Sequence, residues 1–153
     1  RVVRLALLNT QARPDTAEAV ARRRAQVEAA RAGRLHDVLD EIFPLFVHPS
    51  RARDAALRTL VHAQGDDVGI SGFVNNQTAI MARPDSRPGL AAISCPVLVL
   101  ASDQDLLLPK ELSEEIASAI PQAQLRVIAD CGHLSQVERP AEVAAALVAW
   151  RNG

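Results

Sequence analysis

Three short apolar runs constrain this chain more than any other feature. Leu125 to Ala129, which contains Arg126, reads as a strand, while Val2 to Leu8 (interrupted only by Arg4) and Val97 to Leu100 are β-branched and leucine stretches without polar alternation. A strand covered on both faces reads this way, because neither row of its side chains meets water. Helical patterns fill the intervals. Strands separated by helices imply a parallel sheet with right-handed crossovers, so the fold class expected is α/β.

The first interval is long. Residues 15 to 32 read as a helix opened by Asp15 and Glu18 at capping-box spacing and stopped by Gly33. Leu35, Val38, Leu39, Ile42 and Phe46 give a second helix, which Pro44 should end or kink near Phe43. A third follows Pro49 with Ser50 as cap and Leu57, Leu60 and Val61 as its buried face, ended by Gly65. Ile70, Phe73, Val74, Gln77 and Ile80 mark a fourth, and Pro84 and Pro88 close the block. Four helices exceed a simple crossover and are expected to form a lid above the sheet. The second interval holds one helix, with Leu112, Ile116, Ala119 and Ile120 on its apolar side. A terminal helix starts at Pro140 and turns Val143, Ala144, Leu147, Val148 and Trp150 inward.

Composition narrows the function classes. Hydrophobic residues make up 48% and charged residues 23% of the 153 positions, ordinary for one globular domain. A net charge of −1 argues against nucleic acid or an anionic membrane as partner, since both demand a basic face. No apolar run approaches the roughly 20 residues of a membrane span. Cys95 precedes one strand and Cys131 follows its parallel neighbour, which puts them at opposite ends of the sheet. They are expected to be free thiols in a reducing, cytoplasmic setting. All the basic residues but Lys110 are arginine and alanine is abundant, which suggests a GC-rich bacterial genome. The chain opens at Arg1, without Met, directly in an apolar run, so a longer protein is expected to precede it.

Two loops carry candidate chemistry. Ala101-Ser102-Asp103-Gln104-Asp105, with Pro109 beyond it, follows the second strand. Asp130-Cys131-Gly132-His133-Leu134-Ser135-Gln136-Val137-Glu138-Arg139-Pro140 follows the third. In open parallel sheets, sites form beyond the carboxyl ends of the strands. An aspartate and a histidine on adjacent loops there can pair, the carboxylate fixing the ring tautomer and steadying the imidazolium.

These segments resemble the last third of the α/β-hydrolase family. There a strand followed by Gly-x-x-Asp-x-x-x-Pro carries the triad acid and a later Gly-His carries the base, in the order nucleophile, acid, histidine. The resemblance covers the whole chain. Residues 1–9 match the sixth strand, 15 to about 90 a helical cap, and the rest strands seven and eight. It implies core segments 1–14 and 91–153, a cap over 15–90, and an incomplete α/β-hydrolase fold with three parallel strands. It also implies catalytic Asp105 and His133. Ser102 departs from the family's usual glycine. Asp103 is the rival acid, and the spacing to Pro109 favours Asp105. His36, His48 and His62 are expected to be structural or exposed, and Cys131 a small buried residue.

The nucleophile motif Gly-x-Ser-x-Gly is absent. Gly69-Ile70-Ser71-Gly72-Phe73 comes nearest, but it opens a cap helix and no strand precedes it. The oxyanion donors lie around that motif in the family. The resemblance therefore implies a serine hydrolase of small esters or related acyl compounds, completed by a missing N-terminal half, with a small-molecule substrate as partner. No cofactor and no metal are expected, since no phosphate-binding glycine loop or metal-spaced cluster occurs. Lactonase, amidase, carbon–carbon hydrolase, acyltransferase or haloperoxidase chemistry fits the same pair. An aspartate nucleophile would make an epoxide hydrolase or dehalogenase. A non-catalytic binding module is the competing class.

Overall fold

A computed structural model describes residues 2–152. Arg1 and Gly153, which end the expected core segments, lie outside the described residues. The chain forms two compact units, one of residues 2–12, 45–50 and 86–152, the other of residues 13–44 and 51–85.

The first unit is built on β1 (Leu5–Leu8), β2 (Val97–Ser102) and β3 (Ala123–Ile128), hydrogen-bonded in that order. All pairings are parallel, with Leu5 opposite Val97 and Val97 opposite Ala123. Every residue of the central β2 is buried. Its alternate side chains serve two cores, as the two-residue strand period requires. Val97 and Val99 pack with Ile116, Ile120, Leu90 and Ala12 on one face. Leu100 packs with Ile128, Cys131 and Val143 on the other. Ile116 comes from α4 (Lys110–Ala119) and Val143 from α6 (Pro140–Asn152), so helices cover both faces. Pro140 is the first residue of α6, where its missing N–H costs nothing.

The second unit contains α1 (Ala17–Arg31), most of α2 (Leu35–Phe46) and α3 (Ala55–Met81). Leu35, Val38, Leu39 and Phe43 of α2 are buried, as are Leu57 and Val61 of α3. Asp54 caps α3 by accepting the Leu57 N–H at 3.0 Å. That bond, with help from Arg51, holds the Asp54 carboxyl below its ordinary range.

Several local expectations need correction. Val2 and Val3 are 65% and 72% exposed and precede β1, which starts at Leu5. Thr16, not Asp15, caps α1, its hydroxyl accepting the Ala19 N–H at 3.2 Å. Asp15 is instead a buried partner of two arginines. The third helix is capped by Asp54 rather than Ser50. The break in α3 falls at Gly69, whose φ of 68° leaves the helical region, and not at Gly65. Gly65 stays helical because a side chain there would run into Leu39 of α2, so its value is close approach rather than a turn. α2 does not end at Phe43 but continues through Pro44 to Phe46, without the intrahelical hydrogen bond that a proline cannot donate. Ala144 and Val148 are exposed, because the inward stripe of α6 runs through Val143, Ala146 and Leu147.

Candidate active site

The site lies at the carboxyl ends of the three strands, where the chain leaves the sheet and its last backbone groups need new partners. Asp105 stands three residues after β2. One carboxylate oxygen, Oδ1, accepts the N–H groups of Leu107 at 2.9 Å and Leu108 at 2.8 Å. This local turn aims the other oxygen, Oδ2, at His133 Nδ1, 2.8 Å away. Oδ2 also receives the side-chain amide of Asn9 at 3.2 Å. The Asp105 side chain is 1% exposed and that of His133 20%. Because Oδ2 accepts, Nδ1 carries the ring proton, and in the neutral imidazole Nε2 is the basic nitrogen. Nε2 makes no hydrogen bond among the described residues.

The histidine loop is held by its backbone. Gly132 N–H and His48 N–H donate to the two oxygens of Glu138, each at 2.8 Å. Leu134 N–H donates to the Phe46 carbonyl at 2.9 Å. The glycine before His133 has a steric cause: a Cβ at position 132 would run into the backbone of Val47 and His48. The Phe46 ring faces the imidazole with centroids 6.0 Å apart and planes at 26°, an aromatic wall beside the base.

Asp103, the rival acid, accepts the Cys131 N–H at 3.2 Å and so fastens the two loops together. Cys131 is fully buried, and burial pushes its thiol pKa up, away from the thiolate a nucleophile needs. Ser102 is buried at the end of β2, its hydroxyl accepting from Asn9 at 2.9 Å. A serine at this position supplies an acceptor that glycine lacks. His36 and His62 stack with ring centroids 4.3 Å apart in the second unit, each bonded to an aspartate. His48 bonds Ser50. Ser71 is exposed on α3. Among the described residues, no cluster of three or more His, Cys, Asp or Glu could hold a metal ion. Among the described residues no helix is long and apolar enough to cross a membrane.

Sequence reasoning missed Asn9, Ser135, Glu138 and Phe46. The available signal was position: Asn9 ends β1 as Asp105 and His133 follow β2 and β3.

Residues 1–146 match the alpha/beta hydrolase family, and the chain belongs to it. Its fold is the α/β-hydrolase fold in part, an open sheet of three parallel strands with flanking helices. A thermophilic esterase from Thermogutta terrifontis superposes with a TM-score of 0.91 at 33% identity, covering 99% of this chain and 56% of that one. The enol-lactonase from Burkholderia xenovorans LB400 gives a TM-score of 0.86 at 27% identity, over 100% of this chain and 57% of the other. In sequence, the provisionally named carbamate hydrolase RutD of Serratia proteamaculans is 32% identical over 111 residues, 70% of this chain and 41% of that protein. The chain thus spans roughly half the length of the relatives it matches.

Proposed function

We propose that this chain supplies the acid and base of an α/β-hydrolase that cleaves small esters or related acyl compounds through a serine, and that the serine lies in a segment preceding this sequence. The observation carrying the reading is the 2.8 Å contact between His133 Nδ1 and Asp105 Oδ2 in adjacent strand-end loops. It leaves Nε2 as the group that can take a proton. The esterase, lactonase and carbamate hydrolase likenesses support acyl transfer as the chemistry.

In this mechanism the serine oxygen bonds to the acyl carbon while its proton passes to His133 Nε2. Asp105 Oδ2 steadies the imidazolium through the Nδ1–H. The tetrahedral adduct collapses, the alkoxide leaves with the proton from Nε2, and an acyl-serine remains. Water then bonds to the acyl carbon as one of its protons passes to Nε2. The second adduct collapses, the serine–acyl bond breaks, the serine oxygen takes the proton back from Nε2, and the acid leaves.

A fusion tests this: the N-terminal half of the Thermogutta terrifontis esterase joined to the 153 residues. Expected outcomes are turnover of short-chain nitrophenyl esters, labelling of the serine by a fluorophosphonate, and no activity from the 153 residues alone. His133→Ala should lower turnover by about 1000-fold or more, as loss of a triad base does. A folded, labelled fusion in which His133→Ala keeps its turnover would sink the reading.

A further inference from the structure

The Asn9 side chain makes three hydrogen bonds, and the mechanism above gives it no task. It is 8% exposed. Its φ of 44° lies in the left-handed region, which asparagine enters more readily than most residues. Its backbone N–H extends the β1–β2 ladder to the Leu100 carbonyl at 2.8 Å, so the backbone under the side chain is fixed by the sheet.

The side-chain amide then reaches three segments at once. Nδ2 donates to Ser102 Oγ at 2.9 Å and to Asp105 Oδ2 at 3.2 Å. Oδ1 accepts from Ser135 Oγ at 2.7 Å. Ser102 and Ser135 are both 0% exposed. Ser135 stands two residues after His133, so the bonds close a ring from Asn9 to Asp105, to His133, along the backbone to Ser135, and back to Asn9. An ionised carboxylate can only accept, so the NH2 faces Asp105 and the carbonyl oxygen is left for the Ser135 hydroxyl to donate to. A carboxylate turned about its own bond would swing Oδ2 away from the imidazole. The Asn9 amide, bonded to Oδ2, opposes that rotation, as the Leu107 and Leu108 N–H groups do at Oδ1.

We propose that Asn9 is a positioning residue: its amide holds Asp105 Oδ2 and the Ser135 end of the histidine loop at a fixed separation, and so sets the Asp105–His133 hydrogen bond. The inference rests on the acid–base reading of that pair. It predicts that losing the amide loosens the His133 Nδ1–H without loosening the sheet.

The measurement is proton NMR on the 153-residue chain, or on the fusion described above if the chain alone gives no dispersed spectrum. The His133 Nδ1 proton is followed by its shift and by its exchange rate relative to the Val99 amide in β2. Asn9→Gly keeps the left-handed backbone and removes the amide. Its Nδ1–H should exchange about five- to tenfold faster relative to Val99, the effect of one hydrogen bond of ordinary net strength. Ser135→Ala, which frees Oδ1 and leaves Nδ2 in place, should shift the ratio the same way by less. It carries the test if Asn9→Gly does not fold. Equal acceleration at Val99, or an unchanged Nδ1–H in the folded variants, overturns the inference and leaves the acid–base reading standing. Absence in the unsubstituted protein of an Nδ1 proton shared with Asp105 removes the acid–base reading itself, and this inference with it.

Discussion

Two buried aspartates, one in each unit, show how differently the same side chain is used. Asp15 is 2% exposed in its side chain and meets Arg23 Nε at 2.6 Å and Arg83 at 3.3 Å. Arg23 also donates to Gln77 at 2.8 Å, so the cluster binds the start of the helical unit to the far end of α3. Asp105 is just as buried, yet its four partners are two backbone amides, one asparagine and one histidine. Guanidinium groups do not titrate in the working range, so the partners of Asp15 keep their charge. The histidine beside Asp105 can gain a proton and lose it again. Burial and satisfied hydrogen bonds therefore do not by themselves single out a candidate acid; a partner able to change charge, with a second nitrogen left open, does.

Swapping the charge at each aspartate sharpens that contrast most. In the active fusion, Asp105→Asn should cut turnover about 1000-fold or more while the thermal midpoint moves little, because the amide favours the wrong imidazole tautomer. Asp15→Asn should leave turnover per folded molecule unchanged. It should lower the unfolding free energy by about 2–3 kcal/mol in urea titration, less than for a fully buried pair because both arginines keep some water contact. If the two substitutions behave alike, the distinction collapses. Next in size, Gly132→Ala should destabilise by about 2 kcal/mol through overlap with the Val47–His48 backbone, and turnover should fall with it. Third, the raised Cys131 pKa means less thiolate at any given pH than a free cysteine has. Alkylation of Cys131 in the native chain should lag Cys95 at pH 8 and gain as pH climbs, which peptide mapping reads directly. The smallest effect is reserved for Asp103→Asn. An amide oxygen still accepts the Cys131 N–H, so turnover should change less than about threefold, one hydrogen bond weakened rather than lost. A larger loss than at Asp105 would reverse the choice of acid.

β2 was legible because burial on both faces leaves an unbroken apolar run. β1 and β3 are only partly buried and were read from their β-branched and leucine content, and the loops after β2 and β3 followed from them. The Asp105–His133 pairing needed only those loops to be neighbours, which parallel order provides. Asn9 and Ser135 were not legible: each is a common polar residue at an element's end, and their mutual partners lie far apart along the chain. Glu138 was visible as part of the segment ending in Arg139-Pro140. Its bond to the His48 N–H could not be read, because nothing in residues 45–50 marks them as companions of the sheet. Capping went astray for a related reason. Asp15 and Thr16 both suit an N-cap, and in the fold Asp15 is taken up by Arg23 and by Arg83 from far along the chain, which leaves the cap to Thr16.

The meeting of Asp15 with Arg83, beside the 2.8 Å bond from Ser86 N–H to the Ala12 carbonyl, bears on how fast this chain can fold. β1 pairs with β2 across the whole stretch from Leu5 to Val97, a closure whose entropic cost rises with the logarithm of loop length. Helices of the intervening stretch form from nearby contacts, and once Asp15 and Arg83 have met, only residues 9–14 and 84–96 remain to be ordered between the two strands. The slow, long-range search is then replaced by a local one. Which limb of a denaturant chevron moves in Asp15→Asn tells whether the clasp precedes the β1–β2 ladder: the refolding limb if it does, the unfolding limb if it does not.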